Sequence, residues 1–248
     1  MKRYYSAVSP FYKRRRLRIG YRFWKAVVKL FFPKVEFIWK CPRPADDEPL
    51  IFVCNHTKIY APVAFLLRYD RPIRPWSNAH LLTFKEVGKH MYHNVLGNRK
   101  PKFLLYPFAT LILPLIVWAF RSIEPIPVYK QTKRITETFD KAVETLESGM
   151  QQIIFPEKLE NPVNKYIFEL QHGFTYLGKE YYEKTGQILK YYPVYAAQSL
   201  NKVLIGEPIA YNPEVHMSKQ KIEICKYLEN GIKELGDSLP EHKIVVYE

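Results

Sequence analysis

At 248 residues and 47% hydrophobic content, the chain is large and apolar enough to bury one substantial core. Its three cysteines, Cys41, Cys54 and Cys225, are odd in number and widely spaced, which suggests neither a disulfide framework nor a zinc site and fits a reducing compartment. The net charge of +14 is lopsided, because eleven of the 38 Lys and Arg fall within the first 35 residues and no acid precedes Glu36.

A positive end on a nearly balanced body points to an anionic surface, either lipid headgroups or nucleic acid. Between Leu17 and Phe32, the residues Leu17, Tyr21, Trp24, Val28 and Phe31 share one helical face, and Arg15, Arg18, Arg22, Lys25 and Lys29 form a stripe beside it. This pattern predicts a basic amphipathic helix in a membrane interface, the alternative being a core-packed helix with a solvated basic edge. Residues 1–35 therefore read as a membrane-associating segment and 36–248 as the body. Nucleic acid is the weaker partner, since the charge is confined to one amphipathic end and no recognition motif is present. Nothing resembles a cleaved signal peptide.

Beyond the helix, "KVEFIWK" alternates like a strand, "CPRPADDEP" is a loop, and "LIFVC" at 50–54 suits a buried parallel strand. The stretch 103–120, "FLLYPFATLILPLIVWAF", has no charge but contains Pro107 and Pro114. It reads as a re-entrant or interfacial membrane insertion, with a buried core helix as the alternative. Further strand-like runs are "EPIPVYK", "QQIIFP", "LKYYPVYA", "KVLIG" and "KIVVY", and helical patterns cover about 133–149, 166–184 and 217–236. The alternation predicts an α/β fold, a mostly parallel central sheet flanked by helices, with functional groups at the carboxyl ends of the strands.

His56 follows "LIFVC" directly, at such a strand end. Its setting, "NHTKIYA", resembles the NHxxxxD block of the PlsC-like glycerolipid acyltransferase family, with Asn55 and His56 matching and Ala61 in the place of the acid. Three further blocks follow in order. "IPVYK" is similar to the second block, with Lys130 keeping only the charge of its Arg. "FPEKLE" is similar to FPEGTR, matching at Phe155, Pro156 and Glu157 but not at Lys158, Leu159 and Glu160. "YYPVYA" is similar to the fourth, matching at Pro193 and Val194. "LQHGFTYLG" and "KVLIGEPI" resemble the connecting features.

The resemblance implies acyl transfer from a thioester, of coenzyme A or acyl carrier protein, to a hydroxyl of a lysophospholipid or related alcohol. A hydroxyl is a poor nucleophile at neutral pH, so a histidine must take its proton during attack. His56 is the implied base and Asn55 the residue that helps to position it. Glu157 would contact the acceptor, and Lys130 and Lys158 would meet anionic groups. No metal or prosthetic group is implied, and the place of action is the cytoplasmic side of the cell membrane, peripheral or monotopic. In the family the acid fixes the histidine tautomer and stabilises the imidazolium, which Ala61 cannot do. Three readings stay open. Asp46, Asp47, Asp70 or a backbone carbonyl orients the ring instead. The acid was lost together with catalysis, leaving a lipid-binding relative. Or the block is aligned out of register.

Overall fold

A computed structural model describes residues 19–79, 114, 123–129 and 134–245. Helix α1 (Ile19–Phe31) leads into strand β1 (Glu36–Trp39), then β2 (Leu50–Cys54), α2 (Tyr60–Arg68), β3 (Ile73–Asn78) and β4 (Ile126–Val128). Next come α3 (Ile135–Glu147), β5 (Gln151–Ile154) and the antiparallel hairpin β6 (Glu157–Pro162) and β7 (Phe168–Leu170). The chain continues through α4 (Tyr176–Thr185), β8 (Lys190–Ala197), β9 (Lys202–Ile205), β10 (Ile209–Ala210) and α5 (Met217–Asp237). The main sheet runs β1-β9-β8-β2-β5-β3-β4, with β10 on β8. It is parallel except where β8 meets β9 and β10, as the alternation of elements predicts.

Both faces of the sheet are buried, which explains why its central strand is apolar throughout. Along β2, Ile51 and Val53 enter one core cluster while Leu50, Phe52 and Cys54 enter the other, the two-residue alternation of a pleated strand. The first face is covered by α3, α4 and α5, through residues such as Phe139, Leu177 and Leu228. The second is covered by α2, where Phe65 joins Phe37, Phe52 and Tyr69 in an aromatic cluster.

Several expectations are corrected. The pattern over 166–184 is helical only from His172, as a 3-10 turn to Thr175 and then α4, because Phe168–Leu170 pairs with β6. "KIVVY" forms no strand in its described part, residues 243–245. The polar strand β3 was not expected; Arg74 is buried in it because its guanidinium is hydrogen-bonded to Thr145 Oγ1 at 2.8 Å and to the Glu124 carbonyl. The insertion at 103–120 lies outside the described residues apart from Pro114, as do residues 1–18. Among the described residues, no helix is long and apolar enough to cross a membrane.

Candidate active site

Asn55, Thr57 and Lys58 shape the turn after β2. Asn55 is buried and brackets the backbone of Ala196 on β8, its Oδ1 accepting from the Ala196 N–H at 2.7 Å and its Nδ2 donating to the Ala196 carbonyl at 3.4 Å. The bracket extends the β2–β8 ladder by one side chain and fixes where the chain leaves the sheet. Thr57, also buried, accepts the Ala61 N–H on Oγ1 at 3.0 Å, which satisfies one of the free donors at the start of α2. Between Thr57 and the helix, Lys58 adopts a left-handed conformation with φ of 52°, reversing the chain. His56 is held inside this turn, half-buried, with its ring 5.3 Å from that of Phe155. Asn55, expected to position the histidine, spends its side chain on β8 and so acts on His56 through the backbone.

Glu157 closes the site from the other side. It opens β6, is buried, and its Oε1 accepts the backbone N–H of His56 while Oε2 accepts the N–H of Phe168 at 3.0 Å. One carboxylate thus joins the His56 turn to the β6–β7 hairpin across 101 positions of sequence. Expected on an acceptor hydroxyl, Glu157 is turned toward protein backbone. Burial pushes its pKa up and the two N–H bonds pull it back, with burial the stronger.

Burial lowers the pKa of His56 from 6.5 to about 4. The ring is therefore neutral at pH 7, the correct state for a base, but a base of such low pKa draws a proton weakly. Ala61, which stands where the resemblance puts an acid, is fully buried in the apolar cluster that contains Leu50, Phe52 and Phe65.

The carboxylates that might have folded back onto His56 are elsewhere. Asp46 pairs with Arg71 at 2.7 Å and Asp70 with Arg43 at 2.6 Å. Asp47 lines a cleft of about 430 Å³ with Leu146, Gly149 and Gln187. These segments feed the amino ends of β2, β3, β5 and β8, whereas His56 follows the carboxyl end of β2, about 16 Å away for a five-residue strand. That distance removes all three as orienting acids.

Of the expected cationic groups, Lys158 is paired with Glu169 across the hairpin, and Asn161 Nδ2 donates to the same carboxylate at 2.8 Å. Glu160 is exposed on β6, and Lys130 lies outside the described residues. Sequence reasoning located Glu157 but missed what it binds, and it missed the Asn55–Ala196 bracket altogether. No local signal encodes the Glu157–His56 contact or the Asn55 bracket, since each joins residues more than 100 positions apart.

Strand order, two buried faces and a histidine turn at the carboxyl end of a central strand define an α/β fold with a mostly parallel sheet flanked by helices. That fold is similar to the crystal structure of the 1-acyl-sn-glycerophosphate (LPA) acyltransferase PlsC from Thermotoga maritima, over 97% of this chain and 88% of that one, with a TM-score of 0.53 and 13% identity. The likeness is one of fold. No protein-family model matches the chain, and no curated protein matches it by sequence.

Proposed function

We propose that the protein is a membrane-associated glycerolipid O-acyltransferase that moves an acyl group from a thioester of coenzyme A or acyl carrier protein to a hydroxyl of a lysophospholipid or related amphiphilic alcohol. The observation that carries this reading is His56, neutral and braced on both sides at the carboxyl end of β2 in a PlsC-like fold. In this mechanism the ring accepts the hydroxyl proton as the oxygen attacks the thioester carbonyl. Collapse of the tetrahedral intermediate breaks the C–S bond, and the imidazolium returns its proton to the departing thiolate. Asn55 and Glu157 hold the turn, Lys130, and Lys158 once it leaves Glu169, supply positive charge for anionic parts of the substrates, and α1 keeps the site at the cytoplasmic face of the membrane. The chemistry needs no metal or prosthetic group.

A second reading is a lipid-binding relative without catalysis. It is favoured by the apolar burial of Ala61 and by the low pKa of His56. Purified protein in mixed micelles, offered labelled acyl-thioesters and a panel of lysolipids and alcohols, separates the two. Transfer by the wild type and none by His56→Ala supports the enzyme, and the labelled product names the acceptor. A wild type that binds the lipids yet transfers nothing supports the second reading, and activity gained by Ala61→Asp would trace the silence to the missing acid.

A further inference from the structure

Among the described residues, the large apolar side chains that are most exposed are Phe31 at 85%, Leu30 at 82% and Ile59 at 78%; every other such residue is at 46% or less. The three are far apart in sequence but belong to two interlocked elements. The guanidinium of Arg68, at the end of α2, donates to the carbonyls of Lys29 at 2.8 Å, Pro33 at 3.1 Å and Phe32, taking up orphan acceptors at the carboxyl end of α1. At the other end of α2 the ring of Phe32 lies 5.5 Å from that of Tyr60, the neighbour of Ile59. The end of α1 is therefore fixed against α2, the helix that begins at the His56 turn.

Cations surround these apolar residues. Lys29, Lys34 and Lys58 are exposed, and the first acid of the chain, Glu36, is paired with Lys202 at 3.7 Å. Apolar side chains standing free among lysines match the chemistry of an anionic bilayer surface, in which apolar groups enter the acyl boundary and ammonium groups stay with the headgroups.

We infer that the His56 turn is itself a lipid-binding element: Lys58 and Ile59 enter the interface together with Leu30 and Phe31, and Arg68 sets the angle between α1 and the catalytic turn. The partner is a bilayer with anionic headgroups. The inference rests on the membrane association proposed above and goes beyond it, because it places the turn, and not only the N-terminal helix, in the lipid. An acceptor lying in the bilayer would then meet His56 without leaving it.

The test uses the full chain and vesicles of phosphatidylglycerol with phosphatidylcholine, alongside vesicles of phosphatidylcholine alone. An environment-sensitive fluorophore is attached to Ile59→Cys and, for comparison, to Ile222→Cys on α5, with labelled wild type correcting for Cys41, Cys54 and Cys225. Blue-shifted emission at position 59 on the anionic vesicles, and none at position 222, is the expected result. Ile59→Ser should also weaken partitioning by roughly 10- to 100-fold, the loss of one buried isoleucine. If the wild type binds but the label at 59 does not shift and Ile59→Ser binds as tightly, the turn is clear of the lipid and the inference falls while membrane association stands. Emission already blue before vesicles are added would mean that the chain itself covers the patch, which also overturns it. A wild type that binds neither vesicle overturns the membrane association and the inference together.

Discussion

Replacing Glu157 tests how the site is held together. Its carboxylate accepts two backbone N–H groups in a buried setting, from His56 and from Phe168. A hydrogen bond to a charged acceptor contributes about 1.5–3 kcal/mol, and leaving its donor buried and unsatisfied adds to the loss. Glu157→Gln keeps one acceptor and sets an NH2 group against the other donor, but it also removes a carboxylate whose ionisation burial opposes. A cost of about 1–2 kcal/mol near pH 7 follows for Gln, and about 3–5 kcal/mol for Glu157→Ala, which loses both bonds and opens a cavity. Urea unfolding with an unchanged m-value measures both. The sign of the pH dependence gives an independent check. With its folded pKa raised, Glu157 binds more protons in the folded than in the unfolded state just above 4.5, so its contribution falls as pH rises through that window and stays low above the folded pKa. Glu157→Gln should flatten that part of the stability curve. A Glu157→Ala protein as stable as the wild type at pH 7, or a Glu157→Gln curve parallel to it, would refute the brace.

His56 gives the opposite slope. Its folded pKa of about 4 lies below 6.5, so its contribution is fully present above 6.5 and is lost as pH falls toward 4. The difference corresponds to about 3 kcal/mol, and a pH series of urea midpoints should show it in the wild type and not in His56→Gln. At the base of α4, a Cβ on Gly178 would lie 2.7 Å from Tyr191 Oη and 2.8 Å from Tyr211 Cβ, whereas one on Gly173 meets nothing within 4 Å. Calorimetry should therefore find Gly178→Ala destabilised by about 1–3 kcal/mol and Gly173→Ala within about 0.5 kcal/mol of wild type.

The parts of the fold that could be read from the sequence are those whose environment is uniform along the strand. β2 is apolar at every position because both its faces are buried, and α3 and α5 bury one stripe each, so period alone marks them. β3 was invisible because its Arg74 and Trp76 are made tolerable by distant groups, the Trp76 indole donating to Gln152 Oε1 at 2.6 Å. The β6–β7 hairpin was hidden for a different reason: it is a charged stretch without an apolar alternation, tied together by Lys158 with Glu169 and by Glu157 with Phe168. At the site, the position of His56 followed from the strand that precedes it. The Ala196 partner of Asn55 and the His56 partner of Glu157 did not, because both are backbone groups brought close only by the completed fold.

The structural roles of these residues change what their presence means. Asn55 anchors β2 to β8, and Glu157 anchors the His56 turn to the hairpin, so the Asn-His and Phe-Pro-Glu segments are needed for the fold to close at this end whether or not a proton is ever transferred. Their match to an acyltransferase pattern therefore bears on architecture more than on activity. The proposed role of His56 as a base would depend on the imidazole's surroundings: burial that lowers its pKa to about 4, and an alanine packed among Leu50, Phe52 and Phe65 where the family pattern has an acid. If the proposed acyl transfer takes place, a substrate phosphate or carbonyl that approached the imidazolium would raise the basicity of the ring. Under the proposed function, anionic members of a lysolipid panel should therefore be acylated faster than neutral ones, and equal rates would refute this step.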